Sequence, residues 1–201
     1  MRSLFTLFSS LILSLVICGQ IQAAETEDAK AYITRITTAL ESALQEGREN
    51  NQLQDEKYLD AIIDQYIIPH VDKEYMSKRI FSSRWDEIVS NSKTDQAYDA
   101  VFSSLRRTYR LALSAYNGQP IDIGRSKNKS KYSVVRIVIH TGDSDHVIDF
   151  ALRPIEDSWR VFDLSVDGVV VTKTLNNAIK RTLEAGDIDA VIAAINPKTE
   201  P

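Results

Sequence analysis

The chain has 201 residues and a formal net charge of −4, because 28 acidic residues outnumber 24 basic ones. Hydrophobic residues make up 43% of it, which is enough for one domain with a sizeable core. A mildly acidic chain is poorly suited to holding nucleic acid, since phosphates require a basic surface.

The first segment has the pattern of a secretory signal peptide. Arg2 gives a short positive start, Leu4 to Ile17 is almost wholly apolar, and small residues follow at Ala23 and Ala24. This order predicts export and cleavage after Ala23 or Ala24. The apolar run is shorter than the about 20 residues that a transmembrane helix needs, so a retained anchor is the less favoured alternative.

The predicted signal peptide, residues 1–23, leaves residues 24–201 as a single domain. Cys18 would be lost with the leader, so neither a disulfide nor thiolate chemistry is expected in the domain. We predict a helical part over about 25–117, a sheet over about 120–167 and C-terminal helices over about 170–196.

Apolar residues that recur every three or four positions predict the first two helices. The first should begin near Thr26 and stop at Gly47, a residue type common just after helices. The second should be capped by Asp55 and ended by Pro69.

Three more helices are predicted before the sheet. Asp72 and Ser83 are expected to cap two short ones, and the longest element should run from about Thr94 to Tyr116. Its broad apolar and aromatic stripe needs a large surface to lie against.

Alternation of apolar and polar residues then predicts an antiparallel meander. The resulting class is α+β, with helices on a curved antiparallel sheet. The predicted strands are Ile121–Ile123, Tyr132–His140, His146–Arg153 and Trp159–Val166, and the helices that follow are Lys173–Ala185 and Ile188–Ile195, the last capped by Asp187.

Candidate catalytic residues are sparse. His70, His140 and His146 show no His-Glu-x-x-His spacing, and the sequence contains no Gly-x-Ser-x-Gly elbow or Walker loop. His140 and His146 flank one turn with Asp143 and Asp145, which suggests either a surface metal site or, as the turn composition favours, a polar hairpin tip.

Other charged residues have mainly structural interpretations. Asp163 is expected to be partly buried and to pair with an arginine rather than to perform acid–base chemistry. Asp60 and Asp64 are expected on a solvated helix face. The basic run from Arg125 to Lys131 is typical of a solvated hairpin loop, with contact to anionic headgroups or an acidic partner as the functional alternative.

Together these segments resemble the MlaC family, also called the toluene-tolerance auxiliary proteins. The resemblance covers nearly all of the domain and is most specific over Trp159–Val169. The other segments that carry it are Ile68–Asp72 with Met76 and Trp85, the long-helix residues Phe102, Leu105, Tyr109 and Tyr116, and Ala185–Ile192.

The resemblance implies a cone shaped like nuclear transport factor, with a curved antiparallel sheet packed against a largely helical N-terminal half. It further implies a soluble periplasmic phospholipid carrier that is not an enzyme and needs no metal or cofactor. The implied partners are phospholipid, an inner-membrane ABC transporter complex with MCE-domain subunits, and an outer-membrane lipoprotein complex. Membrane contact is expected to be only transient.

Ten apolar residues are the candidate lining of a pocket for acyl tails. The stripes of the long helix and the meander are expected to face a hollow large enough for two tails, and plain core packing is the alternative for each residue. The candidates are Met76, Trp85, Phe102, Leu105, Tyr109, Ile137, Ile148, Phe150, Leu152 and Val169.

The sequence also departs from the family. Val170 and Thr174–Ile179 stand where the family usually has a serine, Asn-Tyr-Arg and a phenylalanine, and Phe81–Arg84 replaces a usual glycine. Three other functions stay open: binding of a different hydrophobic ligand, hydrolysis at a nonstandard site, and a structural adaptor without a ligand.

Overall fold

The computed structural model describes residues 27–195. The predicted signal peptide and the predicted helix start at Thr26 lie outside these residues. Short 3-10 turns occupy Ile68–His70 and Ser82–Arg84. The helices of the N-terminal half are α1 (Ala29–Glu49), α2 (Glu56–Tyr66), α3 (Lys73–Phe81), α4 (Trp85–Ser90) and α5 (Thr94–Ser114).

A curved, unclosed antiparallel sheet with the strand order β1-β2-β3-β4-β5 follows the helices, and the predicted α+β class is confirmed. Short turns join neighbouring strands, which is the connection expected of a meander. The strands are β1 (Ile121–Asn128), β2 (Ser133–Thr141), β3 (Ser144–Ile155), β4 (Ser158–Val166) and β5 (Val169–Val170), and the last helices are α6 (Val171–Ala178), α7 (Lys180–Ala185) and α8 (Ile188–Ile195).

Aspartate side chains cap several helices by accepting hydrogen bonds from first-turn amides. The caps predicted at Asp55, Asp72 and Asp187 are confirmed, with acceptor distances of 2.8, 3.0 and 2.8 Å. Asp28 caps α1 in the same way through the amide of Ala31 at 2.8 Å.

The predicted role of Gly47 as a helix stop is wrong. Gly47 is buried inside α1, which continues to Glu49 and ends at the C-cap Asn50. A Cβ on Gly47 would lie 2.5 Å from the ring of Tyr58 and 2.9 Å from the side chain of Leu53. The glycine is therefore needed for the close approach of α2, not for its backbone freedom.

Three element boundaries also differ from the prediction. Most of the basic run predicted as a loop lies in β1, where Lys127 pairs with Val134. Ser83 lies in a 3-10 turn and α4 begins at Trp85 without a side-chain cap. The predicted helix Lys173–Ala185 is interrupted at Ile179, whose buried side chain packs into the helical core.

Helix α1 connects the two layers of the molecule. Its first half packs on one face of the sheet through Tyr32, Ile33 and Ile36. Its second half packs against α2 and α5 through Leu40 and Leu44. A third apolar cluster joins α3, α4, α5, α6 and α8.

Salt bridges fix α2 on α5. Asp60 accepts two hydrogen bonds from the guanidinium of Arg110 at 2.7 and 2.6 Å, and Arg106 lies 2.7 Å from Asp64. The bond to Arg110 lowers the pKa of Asp60. Asp60 is therefore half-buried in an ion pair rather than solvated, whereas Asp64 is exposed, as expected, and pairs with Arg106. Within residues 27–195, no helix has the length and apolar character needed to cross a membrane.

Candidate functional site

The helical members of the predicted lining lie in one apolar cluster. Four of them, Met76, Trp85, Phe102 and Leu105, are buried there with exposed fractions of 0 to 8%, and Tyr109 packs against the cluster half-buried. The four buried side chains are enclosed by their neighbours, as in an ordinary core.

The sheet members lie in a second cluster. Ile137 and Leu152 are buried there, and Ile148 and Phe150 pack against them half-buried. Val169 lies apart on β5, with 60% of its surface exposed. The structure thus places nine of the ten predicted residues in two clusters and leaves Val169 outside both.

Helix α1, rather than the long helix α5, supplies the helical side chains that pack on this sheet face. The side chains of Val135, Ile137, Phe150 and Leu152 therefore meet Ile33 and its neighbours on α1. Among the described residues the α5 stripe packs into the helical clusters rather than on this sheet face, and the expectation that it and the meander face a common hollow stays a prediction. The stripes on α1 and α5 have the same chemistry, so periodicity could not decide which one covers the sheet.

A set of half-buried apolar side chains packs against the three apolar clusters. The accessible part of such side chains is apolar surface that a hydrophobic ligand could cover. We call this set the half-buried interior set. Its members are Ile36, Leu40, Ile67, Ile68, Tyr109, Leu113, Tyr116, Ile121, Ile123, Ile139, Ile148 and Phe150.

Only Tyr109, Ile148 and Phe150 of this set were among the predicted lining residues. Ile36 and Leu40 were missed, although both belong to the apolar stripe recognised on the first helix. Ile121 and Ile123 were recognised as strand residues but not as interior ones. Their alternation with polar residues was visible in the sequence. Their place beside the other members of the set was not, because those members are far away along the chain.

Tyr109 combines strong desolvation with remaining accessible surface. Burial raises the pKa of its hydroxyl to about 12, and the negative charge of Asp163 adds to the shift. The side chain is nevertheless only half-buried. Desolvation disfavours the charged form, so this hydroxyl stays protonated at neutral pH.

Asp163 joins three elements beside Tyr109. Its carboxylate accepts hydrogen bonds from the hydroxyl of Thr172 at 2.6 Å, from the amide of Thr172 at 3.2 Å and from Nε of Arg79 at 3.2 Å. The predicted pairing of a buried Asp163 with an arginine is confirmed. With all of these partners in place the carboxylate is a structural junction of β4, α3 and α6.

Two open cavities lie around Arg79. The first, of about 320 Å³, is lined by Lys78, Arg79, Ser82, Thr172, Lys173 and Asn176 between α3 and α6. The second, of about 400 Å³, is lined by Arg79, Asp163, the aromatic residues Tyr75, Tyr132 and Phe162, and strand residues that include Val134 and Ala151. Val134, Ala151 and Asp163 are register partners, so this cavity lies on the sheet face opposite α1.

The histidines are paired separately rather than gathered into one site. His140 contacts Asp145 at 2.7 Å and Asp122 at 3.0 Å, which raises its pKa, and His146 contacts Asp167 at 2.9 Å. Among residues 27–195, no three His, Cys, Asp or Glu side chains are grouped so that they could hold a metal ion.

His70 lies between α1 and the sheet. Its Nδ1 is 2.8 Å from the hydroxyl of Tyr32, and the two rings meet edge to face. Burial lowers the pKa of His70, with smaller contributions from Arg35 and Arg160. The neutral imidazole therefore has a packing role against α1, more specific than the cap-region role that was expected for it.

Comparison with known proteins gives a family and a fold. The family model described as MlaC protein matches residues 34–197. A phospholipid-binding protein from Ralstonia solanacearum, solved in complex with a phospholipid, matches with a TM-score of 0.75 and 18% sequence identity over 84% of this chain and 94% of that one. None of the curated proteins matches the sequence.

Proposed function

The chain belongs to the MlaC family, and from this membership we propose that it binds phospholipid and shelters the acyl tails in its apolar interior. The match over residues 34–197 supports the proposal, as does the shared fold of a protein that was solved with a phospholipid. Such a protein is a binding and transport protein rather than an enzyme.

The half-buried interior set is the observation that carries the proposal. Its side chains come from α1, from α5 and the loop after it, from the turn after α2 and from three strands, and we propose that the tails lie among them at the boundary between the sheet layer and the helical layer. Acyl tails at this boundary would cover apolar surface that water otherwise contacts. The buried candidates, such as Met76 and Leu152, would support this lining from behind.

The energetics of transfer suit a carrier. Two acyl tails contain roughly 30 methylenes, and at about 0.8 kcal/mol each their removal from water would yield about 25 kcal/mol. That exceeds the practical ceiling of about 18 to 21 kcal/mol for non-covalent affinity. The donor, however, is a bilayer in which the tails are already out of water, so the protein only has to match the bilayer for loading and unloading to proceed.

We propose further that the protein is exported to the periplasm and passes lipid between an outer-membrane lipoprotein complex and an inner-membrane ABC transporter with MCE-domain subunits. The amino-terminal pattern supports export, and family membership supports the partners. No cofactor is part of this proposal, because an apolar interior is sufficient to hold hydrocarbon.

Organic extraction of the purified protein followed by mass spectrometry tests the proposal. We expect phospholipid in the extract of the wild-type chain. Free fatty acid or another apolar molecule in its place would assign a different hydrophobic ligand, and an extract without lipid would contradict the carrier function.

A matched pair of variants locates the site. Ile148 faces the interior and Val147, its neighbour on β3, points to the opposite face, and both are half-buried. We expect Ile148→Trp to occupy tail space and reduce lipid content several-fold, while Val147→Trp leaves it unchanged. Equal lipid content in both folded variants would place the tails elsewhere.

A further inference from the structure

We call the cavity between α3 and α6 the cationic recess. Its basic side chains outnumber the carboxylates that pair with them. Its walls include Lys78, Arg79 and Lys173. Arg79 pairs with Asp163 at 3.1 Å. Within residues 27–195, neither lysine takes part in a salt bridge. Three cations against one carboxylate leave a net charge of two positive units.

The polar groups of the recess are hydrogen-bond donors of the kind that oxyanions accept from. Lysine ammonium groups donate from a mobile point charge and arginine from a planar fork. The positive charges come from two helices, Lys78 and Arg79 from α3 and Lys173 from α6, so a bound group would be approached from two sides. The recess is open to solvent, and its volume of about 320 Å³ has room for a phosphate group.

The backbone of the recess supplies a second, independent observation. Ser82, at the end of α3, has φ 51° and ψ −120°, a conformation that a residue with a Cβ adopts at a cost. Backbone strain of this kind is concentrated at ligand-binding sites, where the surrounding contacts impose it. Here the contacts include Asn176, whose amide donates to the carbonyl of Ile80 at 2.6 Å and ties α6 to the last turn of α3.

From the charge, the donors and the strained wall we infer that the cationic recess binds a phosphate oxyanion. A phosphate has three strong acceptor oxygens and a charge of about −1.5 to −2 as a monoester, which matches the uncompensated charge of the recess. Free phosphate and the singly charged phosphodiester of a phospholipid headgroup both present anionic oxygens that accept from these donors, although the diester compensates less of the charge of the recess.

The ion pair between Arg79 and Asp163 links the recess to the surroundings of Tyr109. Arg79 lines the recess, and its partner Asp163 is the charge that acts on Tyr109 of the half-buried interior set. A lipid with its tails beside Tyr109 would have its phosphate near this ion pair. Binding of a phospholipid headgroup in the recess rests on the proposed function, whereas binding of free phosphate does not.

The test compares two double variants that remove the same charge. Lys78→Gln/Lys173→Gln removes the unpaired lysines of the recess, and Lys30→Gln/Lys57→Gln removes two exposed lysines of α1 and α2. The probes are inorganic phosphate by equilibrium dialysis, dihexanoylphosphatidylglycerol below its micelle concentration, and dihexanoylglycerol as the same tails without phosphate. Melting temperatures establish that both variants are folded.

We expect the recess variant to bind dihexanoylphosphatidylglycerol at least tenfold more weakly, with dihexanoylglycerol unaffected and Lys78→Arg/Lys173→Arg restoring affinity. Loss of inorganic phosphate binding alone would support the recess as a site for free phosphate. Unchanged affinity for both phosphate probes would overturn the inference, even if phospholipid still co-purifies with the protein. A wild-type chain that binds phosphate through the recess but yields no lipid would overturn the proposed function alone.

Discussion

The carboxylate of Asp163 lies 2.6 Å from the hydroxyl of Thr172, and this contact joins β4 to the first turn of α6. The same carboxylate accepts from Arg79 of α3. Because Asp163 is only 4% exposed, water cannot readily replace a lost partner. This anion therefore helps to fix α6, and with it one wall of the cationic recess, alongside the bond from Asn176 to the carbonyl of Ile80.

Replacing this anion should lower stability. We expect Asp163→Asn to reduce the free energy of unfolding by about 1.5–3 kcal/mol, because the amide loses the charge-assisted bond to Arg79 and one acceptor oxygen. Chemical denaturation measures the change. Asp149→Asn is the control, since Asp149 pairs with the exposed Arg136 on the same sheet, and a change of at most about 1 kcal/mol is expected there. Equal losses of unfolding free energy in the two variants would show that Asp163 does not act as a structural junction.

A methyl group at Gly47 should also be destabilising. Gly47→Ala would place Cβ 2.5 Å from the ring of Tyr58, and we expect α2 to shift at a cost of about 1–3 kcal/mol despite the better helix propensity of alanine. Gly142→Ala meets nothing within 4 Å and should change stability by no more than about 0.5 kcal/mol. Thermal unfolding of the two variants distinguishes them, and a neutral Gly47→Ala would contradict the close approach.

Relief of the strained backbone at Ser82 should stabilise the protein. Because φ is 51° there, Ser82→Gly is expected to raise the free energy of unfolding by about 1 kcal/mol. Ser83→Gly, one residue further in the same 3-10 turn, should lower it by up to about 1 kcal/mol, since no strain is relieved and chain entropy is lost. The same sign for both variants in a urea titration would refute this account.

Two histidines should affect stability with opposite dependence on pH. Bonds to Asp145 and Asp122 raise the pKa of His140, so its contribution is fully present below the unfolded pKa of about 6.5 and is lost as pH rises through its folded pKa. Burial lowers the pKa of His70, so protonation disfavours the fold as pH falls below about 6.5.

An NMR titration of the ring protons checks this order, with the midpoint of His140 above about 6.5 and that of His70 below it. Asp145→Asn removes the strongest partner of His140 and should lower its midpoint while leaving that of His70 in place. A reversed order of the two midpoints would contradict the assignment.

Local chemistry made much of the fold predictable. The caps at Asp55, Asp72 and Asp187 act within one helical turn, and strand alternation operates between neighbouring residues. Packing between distant elements was not predictable in this way. The α1 and α5 stripes are equally apolar, and Gly47 can be interpreted as a stop until the ring of Tyr58 is placed against it.

The same distinction between local pattern and distant packing applies to the residues of the candidate site. Tyr109, Ile148 and Phe150 could be nominated because each belongs to an apolar stripe. Whether such a residue is core or retains accessible surface depends on its neighbours: Leu105 belongs to the same stripe as Tyr109 but is core, with 3% of its surface exposed. The cationic recess was missed because Lys78 and Lys173 are 95 positions apart in the chain.

Helix α1 is held near both of its ends. At the front, Tyr32 bonds His70 at 2.8 Å and the indole of Trp159 donates to the carbonyl of Glu27 at 2.8 Å. At the rear, Arg48 donates to the carbonyl of Asn117 at 3.1 Å. The helix is thus anchored by hydrogen bonds near both ends, and half-buried Ile36 and Leu40 lie between these contacts. A movement of α1 away from the sheet would have to break one of these contacts, so in the proposed binding mode the tails would be accommodated by side chains of α1 changing position between them.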